Sequence, residues 1–141
     1  MTTGKIILDA KDIIMGRLAS FSAKNALLGK EIDVVNIEQA IITGNKTRIF
    51  TDYKQTAERG EPTHGPFIHK SAREIFKRTV KGMLPMGPRG KEALTRVKAY
   101  KGIPASLKDA KMESLAKANV SKVPNTKYVR VQDVTKYLGG K

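Results

Sequence analysis

Two aliphatic runs with one helical segment between them constrain the fold of this chain more than any other feature. The first run, Lys5–Asp9, and the second, Ile32–Ile37, have the length and composition of strands buried on both faces. Between them, a segment from about Met15 to Leu28 is rich in small residues and stops at Gly29, as helices commonly do. Because strand–helix–strand order favours a parallel sheet with a right-handed crossover, we predict an α/β fold.

The remaining elements are predicted from periodicity and from glycine and proline. Helices are expected at Lys46–Arg59, Ser71–Met83, Lys91–Arg96, Leu107–Ala118 and around Val131–Leu138, and short strands at Ala40–Thr43 and Val97–Tyr100. The helix over Leu107–Ala118 depends on a capping box formed by Ser106 and Asp109. Glycine and proline mark residues 60–70 and 85–90 as loops.

The chain has the length of a single domain, 1–141. Its 141 residues, of which 40% are hydrophobic, suffice for one packed core. We expect that core at about 5–104, followed by a C-terminal helical extension at about 105–141. No stretch approaches the ~20 apolar residues that a membrane span requires, and the first apolar run ends too early, at Asp9, for a signal peptide. A cytoplasmic protein without membrane contacts is therefore expected.

The charge of the chain indicates a polyanionic partner. There are 27 Lys and Arg against 13 Asp and Glu, a formal net charge of +14. The imbalance is uneven, since residues 1–60 carry a net charge of +2 and residues 61–141 carry +12. Nucleic acid, an anionic membrane or an acidic protein would each relieve the resulting self-repulsion.

The sequence has no recognisable nucleotide-binding or thiol chemistry. Cysteine is absent, which excludes disulfides, thiolate metal sites and thiol nucleophiles. The nearest approach to a phosphate-binding loop is Gly90-Lys91. There, Pro85 stands where the motif needs its first glycine, and Glu92 where it needs Ser or Thr.

Acids and histidines give no catalytic or metal-binding pattern either. Asp9 and Asp12 follow the first strand, where α/β enzymes often place acids, but no base or nucleophile is paired with them. Capping the following helix is their predicted role. His64 and His69 are the only histidines, fewer ligands than a metal site usually draws on. We therefore predict no catalytic activity, no cofactor and no metal.

The segment from His64 to Lys101 gives the strongest functional signal. It holds ten Lys and Arg but only two Glu, spread over the predicted helix Ser71–Met83 and its flanking loops. Charge of one sign binds polyanions by displacing condensed counterions. RNA is favoured over DNA because no DNA-binding motif is recognisable. Since aromatic residues are few, a single-strand stacking platform is disfavoured and shape-directed binding to folded RNA is expected.

Several blocks of sequence resemble, in order and at family spacing, the universal large-subunit ribosomal protein thirteen family. The first four blocks are Gly16-Arg17-Leu18-Ala19-Ser20, Val34-Val35-Asn36-Ile37-Glu38, Ile42-Thr43-Gly44-Asn45-Lys46 and Arg78-Thr79-Val80-Lys81-Gly82-Met83-Leu84-Pro85. The resemblance continues with Gly90, Ala93-Leu94, Arg96 and Lys98-Ala99-Tyr100-Lys101-Gly102. Gly65-Pro66-Phe67 and Gly102-Ile103-Pro104 resemble the archaeal and eukaryotic branch. The chain departs from its relatives at Lys70–Glu74, where they often have a basic residue followed by Ala-Pro-Ser-Arg.

The resemblance implies a three-layer α/β/α domain with a short, mostly parallel central sheet of Rossmann-like topology and basic loop and helix extensions. It also implies a structural constituent of the large ribosomal subunit in the cytoplasm. Such a protein would bind large-subunit ribosomal RNA early in assembly and contact neighbouring ribosomal proteins. It would have no small-molecule substrate.

Basic residues are the predicted RNA contacts. Those that lie in the family-like blocks are Arg17, Lys46, Arg78, Lys81, Arg96, Lys98 and Lys101. Those that are added from charge alone are Lys70, Arg73, Lys77, Arg89 and Lys91. Two other functions stay open at this point: a small nucleotide-dependent α/β enzyme, and a free regulatory RNA-binding protein that differs only in where it resides.

Overall fold

The computed structural model describes residues 4–124 and 127–140. The strands in these ranges are β1 (Lys5–Asp9), β2 (Glu31–Val35), β3 (Ile41–Thr43), β4 (Val97–Ala99) and β5 (Tyr128–Arg130). The α-helices are α1 (Met15–Leu27), α2 (Lys46–Ala57), α3 (Ala72–Met83), α4 (Pro88–Thr95) and α5 (Val131–Tyr137). Single 3₁₀ turns occur at Ile37–Gln39, Ala105–Leu107, Ala116–Ala118 and Val120–Lys122.

The main sheet is parallel and has the order β1-β2-β4, which confirms the α/β prediction. The strand predicted over Ile32–Ile37 ends at Val35, because Asn36 has a left-handed φ of 55° that turns the chain out of the sheet. After the 3₁₀ turn that follows, β3 pairs antiparallel with β5 rather than joining the main sheet.

The two faces of the parallel sheet differ in polarity. Side chains alternate along a strand, so Leu8, Ile32 and Val34 lie on one face, and all three are fully buried. They belong to the same core cluster as residues of α1 and α3, which contact each other. The opposite face carries Asp33 of β2 and, beside it in register, Lys98 of β4. Helices α1, α3 and α4 contact one another and form a layer against the sheet.

An ion pair on the polar face supplies a pH-dependent contribution to stability. Lys5 Nζ lies 2.9 Å from Asp33 Oδ2, and the Asp33 side chain is only 4% exposed. The hydrogen bond to Asp33 and the charge of that carboxylate raise the pKa of Lys5 above its ordinary 10.5. A group with a raised folded-state pKa stabilises the fold fully below its unfolded pKa. The contribution is lost as pH rises through the folded pKa.

We expect the stability difference between wild type and Lys5→Met to shrink when pH is raised from about 9 to about 12. The reason is that wild-type Lys5 then loses the charge that pairs with Asp33. Urea denaturation at both pH values measures the difference in free energy of unfolding. Lys30→Met, a change at a partly exposed lysine beside β2, is the matched control. A difference for Lys5→Met that stays constant across this range would contradict the prediction.

The C-terminal tail pairs with the edge of the main sheet. Glu113 N donates to Ile7 O at 2.8 Å, and Asp9 N donates to Glu113 O at 2.9 Å, so Glu113 forms a parallel bridge with Leu8. The helix predicted over Leu107–Ala118 is therefore wrong, because its middle is extended along β1 and only single 3₁₀ turns flank it. Val131 and Val134 of α5 are fully buried in the main core cluster.

Helix α4 begins earlier than its sequence indicates. Residues 88–90 were expected to belong to a loop, but they form the first turn of α4, with Pro88 at the start of the helix. Proline suits that position because its missing N–H has no partner in the first turn. Gly90 is buried there, and a Cβ on it would lie 1.8 Å from the Pro85 carbonyl oxygen. The prediction of a helix restricted to Lys91–Arg96 is thus wrong at its start.

Candidate nucleic-acid interface

Helix α3 separates its apolar and basic residues onto different faces. Ile75, Phe76 and Val80 are buried in the core, following the i, i+3, i+4 spacing of an amphipathic helix. Arg78 and Lys81 are exposed and Lys77 is half-buried on the remaining surface. The packing of the apolar side therefore fixes where the basic side chains point.

A groove runs between α2 and α3 and is closed at one side by the loop that joins them. We call it the α2–α3 groove; it has a volume of about 850 Å³. Its basic residues are Arg59, His69, Lys77, Arg78 and Lys81, and its acidic residues are Asp52 and Glu74. Its aromatic residues are Tyr53 and Phe67.

The electrostatics of the α2–α3 groove favour an anion. Four Lys and Arg side chains line it against two carboxylates. One of those carboxylates, Glu74, already has a cationic neighbour, because its Oε1 lies 3.6 Å from Arg73 Nε. Burial raises the pKa of Tyr53, and the nearby positive charge of Arg78 opposes that rise. Arg78 thus acts electrostatically across the groove, from α3 towards α2.

The other wall of the groove, α2, is held by few buried groups. Ile49 is its only buried residue among those described. Phe50 stacks on Tyr137 of α5 with ring centroids 4.6 Å apart, and Lys46 Nζ lies 5.6 Å from the centroid of the Phe50 ring. The predicted contact residue Lys46 is exposed at the start of α2 and does not line the groove.

Two of the predicted contact arginines also make hydrogen bonds within the protein. Arg96 Nη1 donates to Ala26 O at 3.1 Å, and its Nη2 donates to Glu92, so this guanidinium ties α4 to the end of α1. Arg17 Nη1 donates to Lys117 O at 3.1 Å, which holds the tail against α1. Both arginines brace the fold in this structure.

The remaining predicted residues are distributed over several surfaces. Of all of them, only Lys77, Arg78 and Lys81 line the α2–α3 groove. Lys101 lines a second, smaller cavity of about 200 Å³ beside α5. The exposed residues that line neither cavity are Lys70, Arg73, Arg89, Lys91 and Lys98.

Sequence reasoning missed Arg59, Tyr53 and Phe67 as groove residues. Arg59 lies within residues 1–60, whose net charge of +2 gave no sign of an interface. A usable signal was present, because Arg59 directly precedes Gly60 and so opens the same loop whose far end leads into α3. Tyr53 lies within the predicted helix Lys46–Arg59, and no functional role was predicted for it.

The carboxyl ends of the strands, where open α/β sheets bind ligands, are occupied by the chain itself. Asp9 Oδ1 accepts from Lys11 N at 3.0 Å and from Asn36 Nδ2 at 3.1 Å. Asp12 forms an ion pair with Arg130 at 3.0 Å. The prediction that these acids cap the following helix is wrong. The N-cap residue of α1 is Ile14, and no side-chain hydrogen bond caps the helix there.

The C-terminal tail also covers the carboxyl ends of the strands. Ile14 N donates to Ala118 O, and Val120 N donates to Asp12 O, both at 2.9 Å. A nucleotide-dependent enzyme would need this position open, so the geometry disfavours that alternative. Across residues 4–124 and 127–140, no three His, Asp or Glu side chains are grouped so that they could hold a metal. Within the same ranges no helix has the length and apolarity to cross a membrane.

Comparison with known proteins gives consistent matches over nearly the whole chain. The family model described as "Ribosomal protein L13" matches residues 4–106. The large ribosomal subunit protein uL13 of Methanococcoides burtonii is 42% identical over 136 residues, covering 96% of this chain and 98% of that protein. The proteins of the same name from Methanosarcina barkeri and Archaeoglobus fulgidus are 39% and 42% identical, covering 96% and 94% of this chain and 98% and 86% of their own lengths.

Proposed function

The chain belongs to the ribosomal protein L13 family, and from this premise we propose that it binds large-subunit ribosomal RNA and supports early assembly of the large subunit. Its relatives carry the name of a large ribosomal subunit protein, so the role of the chain is structural rather than enzymatic.

One observation carries the proposal: the core presents a convergent set of cations in the α2–α3 groove. Lys77, Arg78 and Lys81 extend from one rigid helix, and Arg59 faces them from the end of α2. Cations held on packed elements bind phosphates without first having to be ordered. Arg78 can also bind a phosphate bidentately through its planar guanidinium, which a lysine cannot do.

The remaining exposed lysines and arginines extend this interface along the surface. Lys70 and Arg73 lie beside the groove at the start of α3, and Arg89 and Lys91 lie on the first turns of α4. Contacts of this kind go mainly to the RNA backbone and fix register rather than sequence. We therefore propose binding directed by the shape of folded RNA, with Lys46, Lys98 and Lys101 as outlying contacts.

Further parts of the proposal concern partners and organisation. We infer that neighbouring ribosomal proteins contact the surfaces that RNA leaves free, and that the chain acts as one domain over 1–141. The burial of Val131 and Val134 in the same cluster as Leu8 supports a single unit that includes the tail.

Sedimentation of a native lysate through a magnesium-containing gradient tests the proposal. We expect the chain to travel with large subunits at moderate salt and to be released as salt is raised, because phosphate contacts weaken as counterions compete. Detection of the chain in each fraction measures its distribution. A chain that stays at the top of the gradient even at low salt would contradict the ribosomal proposal and favour a free RNA-binding protein.

A further inference from the structure

We propose that the α2–α3 groove takes an unstacked nucleotide of single-stranded RNA, with the base against the ring of Phe67 and the phosphates on α3. This inference rests on the proposed function and goes beyond it, because duplex backbone binding needs no aromatic surface. It also departs from the expectation that aromatic residues are too few to stack bases. One well-placed ring is enough for one base.

Phe67 is exposed and faces the groove. Its side chain is 72% exposed, more than any other aromatic ring in the described ranges. Covering this ring would remove apolar surface from water, so a partner that stacks on it gains free energy. Phe67 lies in the loop that closes the groove, and it lines the same cavity as Lys77 and Arg78.

The Phe67 ring lies close to the backbone of Gly65. Gly65 has a left-handed φ of 78°, and a Cβ built on it would lie 3.1 Å from the ring of Phe67. The turn that contains Gly65 is closed, since Gly65 N donates to Glu61 O at 2.8 Å. Part of the ring therefore lies over the bare backbone of Gly65, and the rest of its surface stays open.

The interior of the groove suits a base and its rim suits phosphate. Tyr53, Ile75 and Leu94 contribute apolar surface, and the groove volume of about 850 Å³ falls within the common range of ligand sites. Lys77, Arg78 and Lys81 follow each other along α3, so a backbone that passes along the helix meets several cations. Single-stranded nucleic acid is typically bound by this combination of aromatic ring and basic track.

The chemistry of the groove distinguishes RNA from an acidic peptide. A peptide with carboxylates would be attracted by the same cations, but stacking on a flat, exposed ring favours a flat partner with a large π face. Every base has such a face. RNA is also the polyanion that the proposed function places nearby. We therefore assign the groove to a nucleotide, and an acidic peptide is kept as a competitor in the test.

Binding of the full chain to a short single-stranded RNA with 2-aminopurine at its centre tests the assignment. We expect the 2-aminopurine fluorescence to rise on binding, because the base leaves its neighbours in the strand. We also expect an affinity about tenfold lower for Phe67→Ala, since stacking on one ring contributes on that scale. Phe67→Tyr keeps the ring and should bind as wild type does. Met86→Ala removes a different exposed apolar side chain, one that does not line the groove, and it serves as the matched control.

Three outcomes would overturn the inference. They are unchanged affinity of Phe67→Ala, equally tight binding of an RNA with an abasic site at the central position, and displacement of the RNA by an acidic peptide at equal charge. Because Phe67 is exposed, circular dichroism should show an intact fold in each variant. If Phe67→Ala behaves as wild type while large-subunit RNA still binds, only this inference fails. If wild type binds no ribosomal RNA, the proposed function fails.

Discussion

Reversal of Lys77, Arg78 and Lys81 to Glu is expected to lower the affinity for large-subunit RNA by about two orders of magnitude and to keep the chain out of assembled subunits. Each phosphate contact contributes about 0.7–0.9 to the slope of log K against log salt, so three lost contacts amount to roughly a hundredfold at ~0.15 M salt. The new carboxylates add repulsion to that loss. Filter binding across a salt series and gradient sedimentation measure the two effects.

The fold should survive this change, because the three side chains lie outside the buried side of α3. Reversal of Lys24, Lys30 and Lys108 alters the net charge equally, and these residues line neither cavity. We expect that variant to lose much less affinity. If the two variants bind equally, affinity depends on total charge, and the α2–α3 groove is not the interface. The salt slope of the groove variant should also fall by about two to three relative to wild type.

Gly90→Ala is expected to destabilise the fold by about 2–3 kcal/mol, the upper part of the range for overpacked sites. The added Cβ would lie 1.8 Å from the Pro85 carbonyl oxygen. A backbone atom cannot rotate away as a side chain can, so α4 must shift as a whole. Ala93 of α4 is fully buried, and a shift would therefore disturb core packing. Thermal or urea denaturation followed by circular dichroism measures the loss.

Gly82→Ala is the matched control, because Gly82 also lies within a helix but has no atom within 4 Å of an added Cβ. We expect it to be neutral or to stabilise by up to about 1 kcal/mol, the helix-propensity gain of alanine over glycine. Equal effects of the two substitutions would show that the close approach of Pro85 to Gly90 has no energetic consequence.

The N-terminal half of the fold could be predicted because its elements carry their own patterns. β1 is an uninterrupted aliphatic run, and α1 has its small residues on the buried side and a terminating glycine. Neither element needs a distant partner to be recognised. The same holds for α3, whose apolar spacing already separates core from surface.

The tail could not be predicted from local pattern. Residues around Glu113 have the composition of a helix, but their backbone bonds go to Ile7 and Asp9, more than a hundred residues earlier. A non-local pairing of this kind leaves no periodic signal. The same limit explains β3, which was recognised as a strand although its antiparallel partner β5 was not.

The candidate site could also be predicted only in part from the sequence. Lys77, Arg78 and Lys81 could be proposed because their charge and their helix were both visible in the sequence. The inclusion of Arg59 and Phe67 depends on where α2 and the loop after it lie relative to α3, which only the packed structure gives. Arg96 shows what charge alone does not reveal, since this basic residue in a family-like block is bonded to Ala26 and Glu92 inside the protein.

The bridge between Glu113 and β1 has a consequence for synthesis on the ribosome. β1 leaves the exit tunnel long before the segment around Glu113 that covers its outer edge, and β3 leaves it long before its partner strand β5. Until then the nascent protein exposes strand edges that can pair with other chains. Completion of the fold therefore waits until Glu113 and β5 have been translated, and a chain released before then is expected to aggregate rather than persist as a smaller folded unit.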